Sequence, residues 1–100
     1  SVAGTHEVLM TPTQYSQAAS INVSIGGLPV APGGTSSFLQ YALTGITPVS
    51  AENKWLIGFN ISADNTAIVG SYDLTVVYTV RDGSGNTLLS QPTVLTVEVQ

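Results

Sequence analysis

Gly70-Ser71-Tyr72-Asp73-Leu74-Thr75-Val76-Val77-Tyr78-Thr79-Val80-Arg81-Asp82-Gly83-Ser84-Gly85-Asn86 is the stretch that decides the fold. Tyr72, Leu74, Val76, Tyr78 and Val80 recur at every second position, with Asp73, Thr75, Thr79 and Arg81 between them. Successive side chains of a β-strand point to opposite faces, so this pattern gives one buried face and one wet face. The Asp, Gly, Ser and Asn residues that follow favour a tight reversal, so the strand runs into a hairpin and the domain is antiparallel.

Working outward, the rest of the chain divides into short strands separated by Gly, Pro, Asn and Ser. Residues 5–11 form a first strand that stops at Pro12, which has no N–H to give a ladder. In residues 18–25, Ile21, Val23 and Ile25 face inward and Ser20, Asn22 and Ser24 face out. Two prolines and nearby glycines make 28–34 a loop. Residues 36–43 form a third strand, and 44–53, with Pro48 inside, are irregular. In residues 54–62, Trp55, Ile57, Phe59 and Ile61 share the core face. After the 72–82 strand, 86–90 begins a partner strand broken at Pro92, and 93–99 carries Leu95, Val97 and Val99 on one face. No window is expected to be helical; residues 66–69 have weak helical character over too short a length. About seven strands at this spacing predict a single domain over 1–100, all-β, folded as a two-sheet antiparallel sandwich.

Bulk composition narrows the function. The chain has 100 residues, 43% hydrophobic and only 8% charged, with a net charge of −4 and no cysteine. An average soluble domain is about 25% charged. The outer surface is therefore built from Ser, Thr, Asn and Gln, a composition common on extracellular and filament-forming proteins. Lys54 and Arg81 are the only basic residues, too few for a nucleic-acid backbone or an anionic membrane. The lack of cysteine removes disulfides, thiolate catalysis and zinc–thiolate sites. No apolar run approaches the ~18 residues of a membrane-spanning helix. The Ser1-Val2-Ala3-Gly4 start suits a chain cut after a small-residue site, and equally an arbitrary boundary.

Gly70-x-Tyr72-x-Leu74 resembles the tyrosine corner of Greek-key sandwiches, in which a Tyr near the start of the penultimate strand ties its hydroxyl back to the preceding crossover. Thr79 to Asn86 resembles the final hairpin of bacterial and archaeal immunoglobulin-like surface and filament-subunit domains. The resemblance covers about 30 residues and implies an immunoglobulin-like Greek-key sandwich in a secreted or cell-surface setting. Antibody-type domains have a Cys pair that this chain lacks, and Trp55 lies in the strand before the crossover. The resemblance carries over no binding site.

Candidate chemistry is sparse. The single histidine, His6, has no Ser-His-Asp spacing around it and reads as a surface or strand-end residue. The six carboxylates are scattered over turns and wet faces and read as solvated charges, not as a glycosidase pair. Asp82-x-Ser84-x-Asn86 has the opening spacing of a calcium loop, but Thr87 stands where glycine should follow and no acid closes it; a plain hairpin turn outweighs the metal reading. Asn22-Val23-Ser24 and Asn60-Ile61-Ser62 match the N-glycosylation pattern on expected wet faces. Of the rings that could stack on a sugar, Trp55, Tyr72 and Tyr78 alternate with polar residues and read as core; Tyr15, in a polar loop, is the one expected to be exposed. No nucleophile–base pair, metal cluster or cofactor loop is present, so no cofactor is expected and the chain is read as not an enzyme.

Both ends are β-prone, and an open sheet edge offers N–H and C=O groups to another chain. Residues 1–12, with Val8, Leu9 and Met10 at their centre, are a candidate exchangeable donor strand, hinged by residues 13–17; pairing within its own domain is the equal alternative. Two function classes follow. One is a non-catalytic structural subunit of a pilus, filament or surface layer, joined to copies of itself or to neighbouring surface proteins, in some cases by strand addition. The other is an accessory module of a secreted protein that contacts carbohydrate or cell wall.

Overall fold

A computed structural model describes residues 2–100 as two antiparallel three-stranded sheets packed face to face; Ser1 lies outside the described residues. The strands are β1 (Val2–Leu9), β2 (Ala18–Gly26), β3 (Leu39–Val49), β4 (Lys54–Ala63), β5 (Gly70–Asp82) and β6 (Thr87–Val99). One sheet has the order β1-β4-β3 and the other β2-β5-β6. The molecule measures 46 × 24 × 17 Å, and the shortest dimension suits two sheets about 10 Å apart with outer side chains.

The strand count is six rather than about seven, because Pro92 does not break the last strand; Pro48 likewise sits inside a strand and lengthens it. Pro92 sits inside a continuous β6, opposite Val77. Pro48 sits inside β3, opposite Trp55, so β3 runs on to Val49 through the segment expected to be irregular. Both strands are edges, where a proline ring can point its missing N–H away from the ladder. A bulge between Leu43 and Gly45 lets β3 continue in a shifted register.

Pro12 is the third departure. It ends no strand; it opens a helix, α1 (Pro12–Gln17), in a chain expected to have none. The Thr11 hydroxyl accepts from the Gln14 N–H at 3.1 Å, and the Gln14 side chain accepts from the Thr11 N–H at 2.9 Å. This is a capping box with proline at the first helical position, where its missing N–H costs nothing. Strand β1 accordingly spans Val2–Leu9 rather than 5–11, and α1 fills the segment read as a hinge. Residues 66–69, by contrast, form no helix.

The core lies between the sheets in two connected lobes. Val8, Met10 and Ile57 of the first sheet and its flank meet Val76, Tyr78 and Val80 of the second. Phe38, Leu39, Phe59 and Ile61 meet Leu74 and Val97. The period-two sets on β4 and β5 therefore face each other across the interior, and all of Ile57, Phe59, Ile61, Leu74, Val76, Tyr78 and Val80 are buried. Trp55 is half-buried against the same core. Packing leaves no space for a side chain at two strand glycines: a Cβ on Gly4 would stand 2.5 Å from the Phe59 ring, and one on Gly58 2.6 Å from the Thr44 hydroxyl.

Candidate interaction surface

The four edge strands differ in how well they are closed. β3 carries a bulge and Pro48; β6 carries a register shift beside the hairpin and Pro92; β2 is bulged where it begins, between Ala18 and Ser20. β1 pairs with β4 from Val2↔Ile61 to Leu9↔Lys54 without a shift and contains no proline. Bulges and prolines blunt an edge against unwanted pairing, so β1 is the one edge regular from end to end.

The direction of its free groups follows from two bonds. The Met10 N–H donates to the Asn53 carbonyl, on the β4 side, whereas the Glu7 carbonyl accepts from the Gln91 side chain at 3.0 Å, on the opposite side. Alternate residues of an antiparallel strand direct both backbone groups to the same side. Ala3, Thr5, Glu7 and Leu9 therefore present N–H and C=O away from β4. On β6 Pro92, which has no N–H to give, stands opposite Val77, so the even-numbered residues of the regular part of the strand face away from β5; the Leu88 carbonyl, at the bulge, accepts from the Gln14 side chain at 3.0 Å.

β1 and β6 lie over one another along one open side of the sandwich. A groove of about 350 Å³ runs between them, lined by Val2, Phe59, Ile61, Leu95, Val97 and their polar neighbours Thr96 and Glu98. A second, more open groove of about 520 Å³ lies further along the same side and holds Thr5, His6, Glu7, Gln91 and Thr93. Val2 is 61% exposed at its rim and Val94 is 66% exposed nearby.

His6 belongs to this side, and the expectation of a surface residue is corrected: it is half-buried and points into the sandwich. Its Nδ1 lies 2.6 Å from the Tyr78 hydroxyl, which in turn lies 2.8 Å from the Tyr41 hydroxyl. The imidazole also stacks on Phe59 with ring centres 4.6 Å apart, and Tyr41 stacks on Phe59 at 5.4 Å. A hydrogen-bonded chain thus links β1 and β3 of one sheet to the centre of the other. Burial pushes the Tyr78 hydroxyl far above its ordinary range and the Tyr41 hydroxyl upward, so both stay protonated. Sequence patterning placed Tyr78 inside but could not pair it with His6; the alternation His6, Val8, Met10 was the available signal.

Burial lowers the His6 pKa from its ordinary 6.5. Above about 6.5 the ring is neutral in both folded and unfolded chains. Below it the unfolded chain takes up a proton that the folded chain resists, so stability falls as pH drops through that range towards the lowered folded value. Asp64 and Asp82, held below their ordinary 3.8, lose their share only in stronger acid. Urea midpoints recorded from pH 7.5 to 5 should fall for the wild type and fall less for His6→Gln; equal slopes would contradict this account.

The other sequence-predicted sites resolve as follows. The Tyr72 hydroxyl donates to the Ile68 carbonyl at 2.7 Å, the tie expected of a tyrosine corner. Asp82 accepts from the backbone N–H groups of Ser84 and Asn86 at 2.9 and 3.0 Å, and these bonds hold its carboxyl below the usual range. Arg81 donates to the Gly85 carbonyl, and Gly85 takes φ +85°. The Asp82, Ser84 and Asn86 set forms a hairpin turn whose carboxylate accepts from the turn's own N–H groups. Among the described residues no three His, Asp or Glu side chains gather as metal ligands, and no helix is long and apolar enough to cross a membrane.

Asn22 is exposed on the outer face of β2. Asn60 lies on the outer face of central β4, flanked by Ala3 and Ala42, whose small side chains leave space above it. Tyr15 is half-buried against the core instead of standing free. Val8 and Met10 are buried and Leu9 is 60% exposed. The candidate donor strand therefore pairs within its own chain. Lys54 bridges Glu7 and Glu52 at 2.7 and 3.1 Å across the β1–β4 pair. Comparison with protein-family models, curated proteins and solved structures found no match to this chain.

Proposed function

We propose that this protein is a non-catalytic, immunoglobulin-like structural module of an extracellular assembly, such as a pilus, filament or surface layer, that works by contact through its strand edges. One observation carries the reading: a regular, unblunted edge on β1 stands beside an apolar groove on a surface nearly free of charge. The strand orders β1-β4-β3 and β2-β5-β6 support the immunoglobulin-like reading. They correspond to strands B-E-D and C-F-G of a constant-type domain, with no strand in the place of A. On this reading the connectivity is a Greek key. The Tyr72–Ile68 bond at the start of β5 falls where the tyrosine corner of strand F belongs.

The buried polar groups support the non-catalytic part. His6, Tyr78 and Tyr41 satisfy one another, and the hydroxyl against His6 is too hard to ionise to act as a nucleophile or base. The carbohydrate-module reading loses its one expected exposed ring, because Tyr15 packs inward. Electron microscopy of the protein in its native setting is the test. It should place this chain in an ordered surface assembly. A dispersed protein that turns over a substrate, or that binds a glycan array through Tyr15, would remove the proposal.

A further inference from the structure

We infer that β1 is a self-pairing edge: two copies of this chain join their β1 strands antiparallel about a two-fold axis at Thr5, forming one continuous six-stranded sheet. The inference rests on backbone geometry and holds whether or not the protein enters a larger assembly.

The outward groups of β1 are spaced so that the strand can pair with itself, which selects a second copy. Thr5 lies near the middle of an eight-residue strand whose outward N–H and C=O groups sit at Ala3, Thr5, Glu7 and Leu9. With the axis at Thr5, Ala3 of one copy stands opposite Glu7 of the other, and the two Thr5 residues exchange both backbone bonds. About six interchain backbone bonds result. The Glu7 carbonyl can accept one of them while keeping Gln91, since it has two lone pairs.

The register is fixed by charge and by volume. An axis at Glu7 would set two carboxylates directly opposite, an axis at His6 would set two half-buried imidazoles directly opposite on the inner face, and an axis at Ala3 or Gly4 would shorten the overlap. On the inner face, the Thr5 axis places His6 of one copy beside Gly4 of the other. Gly4 has no side chain and its position is already crowded by Phe59, so only the half-buried imidazole has to be accommodated. Val2, 61% exposed, comes to lie beside Val8 of the other copy. The apolar groove at the Val2 end of one copy, floored by Phe59, Ile61, Leu95 and Val97, is then flanked by the Val8 end of the other copy's β1.

The symmetry is closed, so the product is a dimer and not a fibre. A longer assembly would need a different contact. β2, whose register is regular after its initial bulge, is the rival edge.

Thr5→Pro tests the contact. Its N–H faces away from β4 and its side chain lies on the outer face, exposed, so the substitution removes an interchain donor while sparing the core. Sedimentation velocity on the full chain should show a concentration-dependent dimer. Thr5→Pro should weaken association at least tenfold with an unchanged far-ultraviolet spectrum. Should that variant misfold, Thr5→Cys serves in its place. Opposed residues in such a pair are about 5.5 Å apart at Cα, within disulfide reach, and the chain has no other cysteine. Mild oxidation should give a cross-linked dimer from Thr5→Cys and none from Ser24→Cys on β2. A wild type that stays monomeric at millimolar concentration, a dimer that persists in folded Thr5→Pro, or equal cross-linking at both positions would overturn the inference.

Discussion

Phe59→Ala should lower stability by about 3–5 kcal/mol, the range for a buried aromatic ring removed from a core. In a domain of this size that is a fall in Tm on the order of 15–30 °C. Phe59 is 5% exposed and is covered on its two faces by His6 and Tyr41. Its loss leaves both rings without a stacking partner, while their hydroxyl and imidazole groups remain tied to Tyr78. The cavity cannot close easily, because its neighbour on β1 is Gly4, which has no side chain to move in. Gly4→Ala gives a second reading of the same geometry. Alone it forces a Cβ to 2.5 Å from the Phe59 ring and should destabilise. In the Phe59→Ala background the added methyl has space, so the two changes should be strongly non-additive. Denaturant unfolding of the two single variants and the double variant checks this. A Phe59→Ala loss below about 1 kcal/mol, or simple additivity, would show that the ring is not held as described.

Deleting residues 2–9 should abolish cooperative folding. The deletion removes Val8, one of the most buried residues, and loosens Met10 from the lobe of Ile57, Val76, Tyr78 and Val80. It also turns β4 into an edge and leaves its inward groups Ile57 and Phe59 uncovered on one flank. The lost strand contributes the whole β1–β4 ladder, the His6 end of the Tyr78 network and one partner of Lys54. Marginal stability of about 5–15 kcal/mol does not survive losses of this kind. If the first strand is also exchangeable between copies, a synthetic peptide of residues 1–11 should restore a cooperative transition to the truncated chain. A truncated protein that unfolds at the wild-type temperature would show that β1 is dispensable. Circular dichroism melts with and without peptide separate these outcomes.

The parts of the fold visible in the sequence are those where one local rule acts alone. On β4 and β5 the period of two is unbroken, and every apolar residue of the run from Leu74 to Val80 on the even positions is buried. The 82–86 hairpin was visible for a similar reason. Asp82 closes the turn on its own next neighbours, and Gly85 supplies the positive φ that a turn of this kind asks for. The backward tie of Tyr72 was visible because its hydroxyl reaches back only to Ile68.

The three prolines show where local reading stops. Whether proline ends a strand depends on which way its N–H would point, and that is a property of the neighbouring strand. Pro48 and Pro92 sit on outer edges where no donor is required, so their strands continue. Pro12 falls one residue after Thr11, whose capping box with Gln14 makes it a helix start. The Thr11-Pro12-Thr13-Gln14 pattern was present in the sequence as a capping signal, but it was masked by the β-prone run before it.

By itself the sequence determined the fold class, the inward set on the two central strands and the uncharged surface, because alternation, turn chemistry and composition act over a few residues. Only the tertiary structure decided that His6 lies against Tyr78, which is 72 residues away, and that β1 keeps a clean outer edge above an apolar groove. Contacts between distant segments depend on which strands pair and in what register, and register is set by the packing of all the strands together rather than by any one of them.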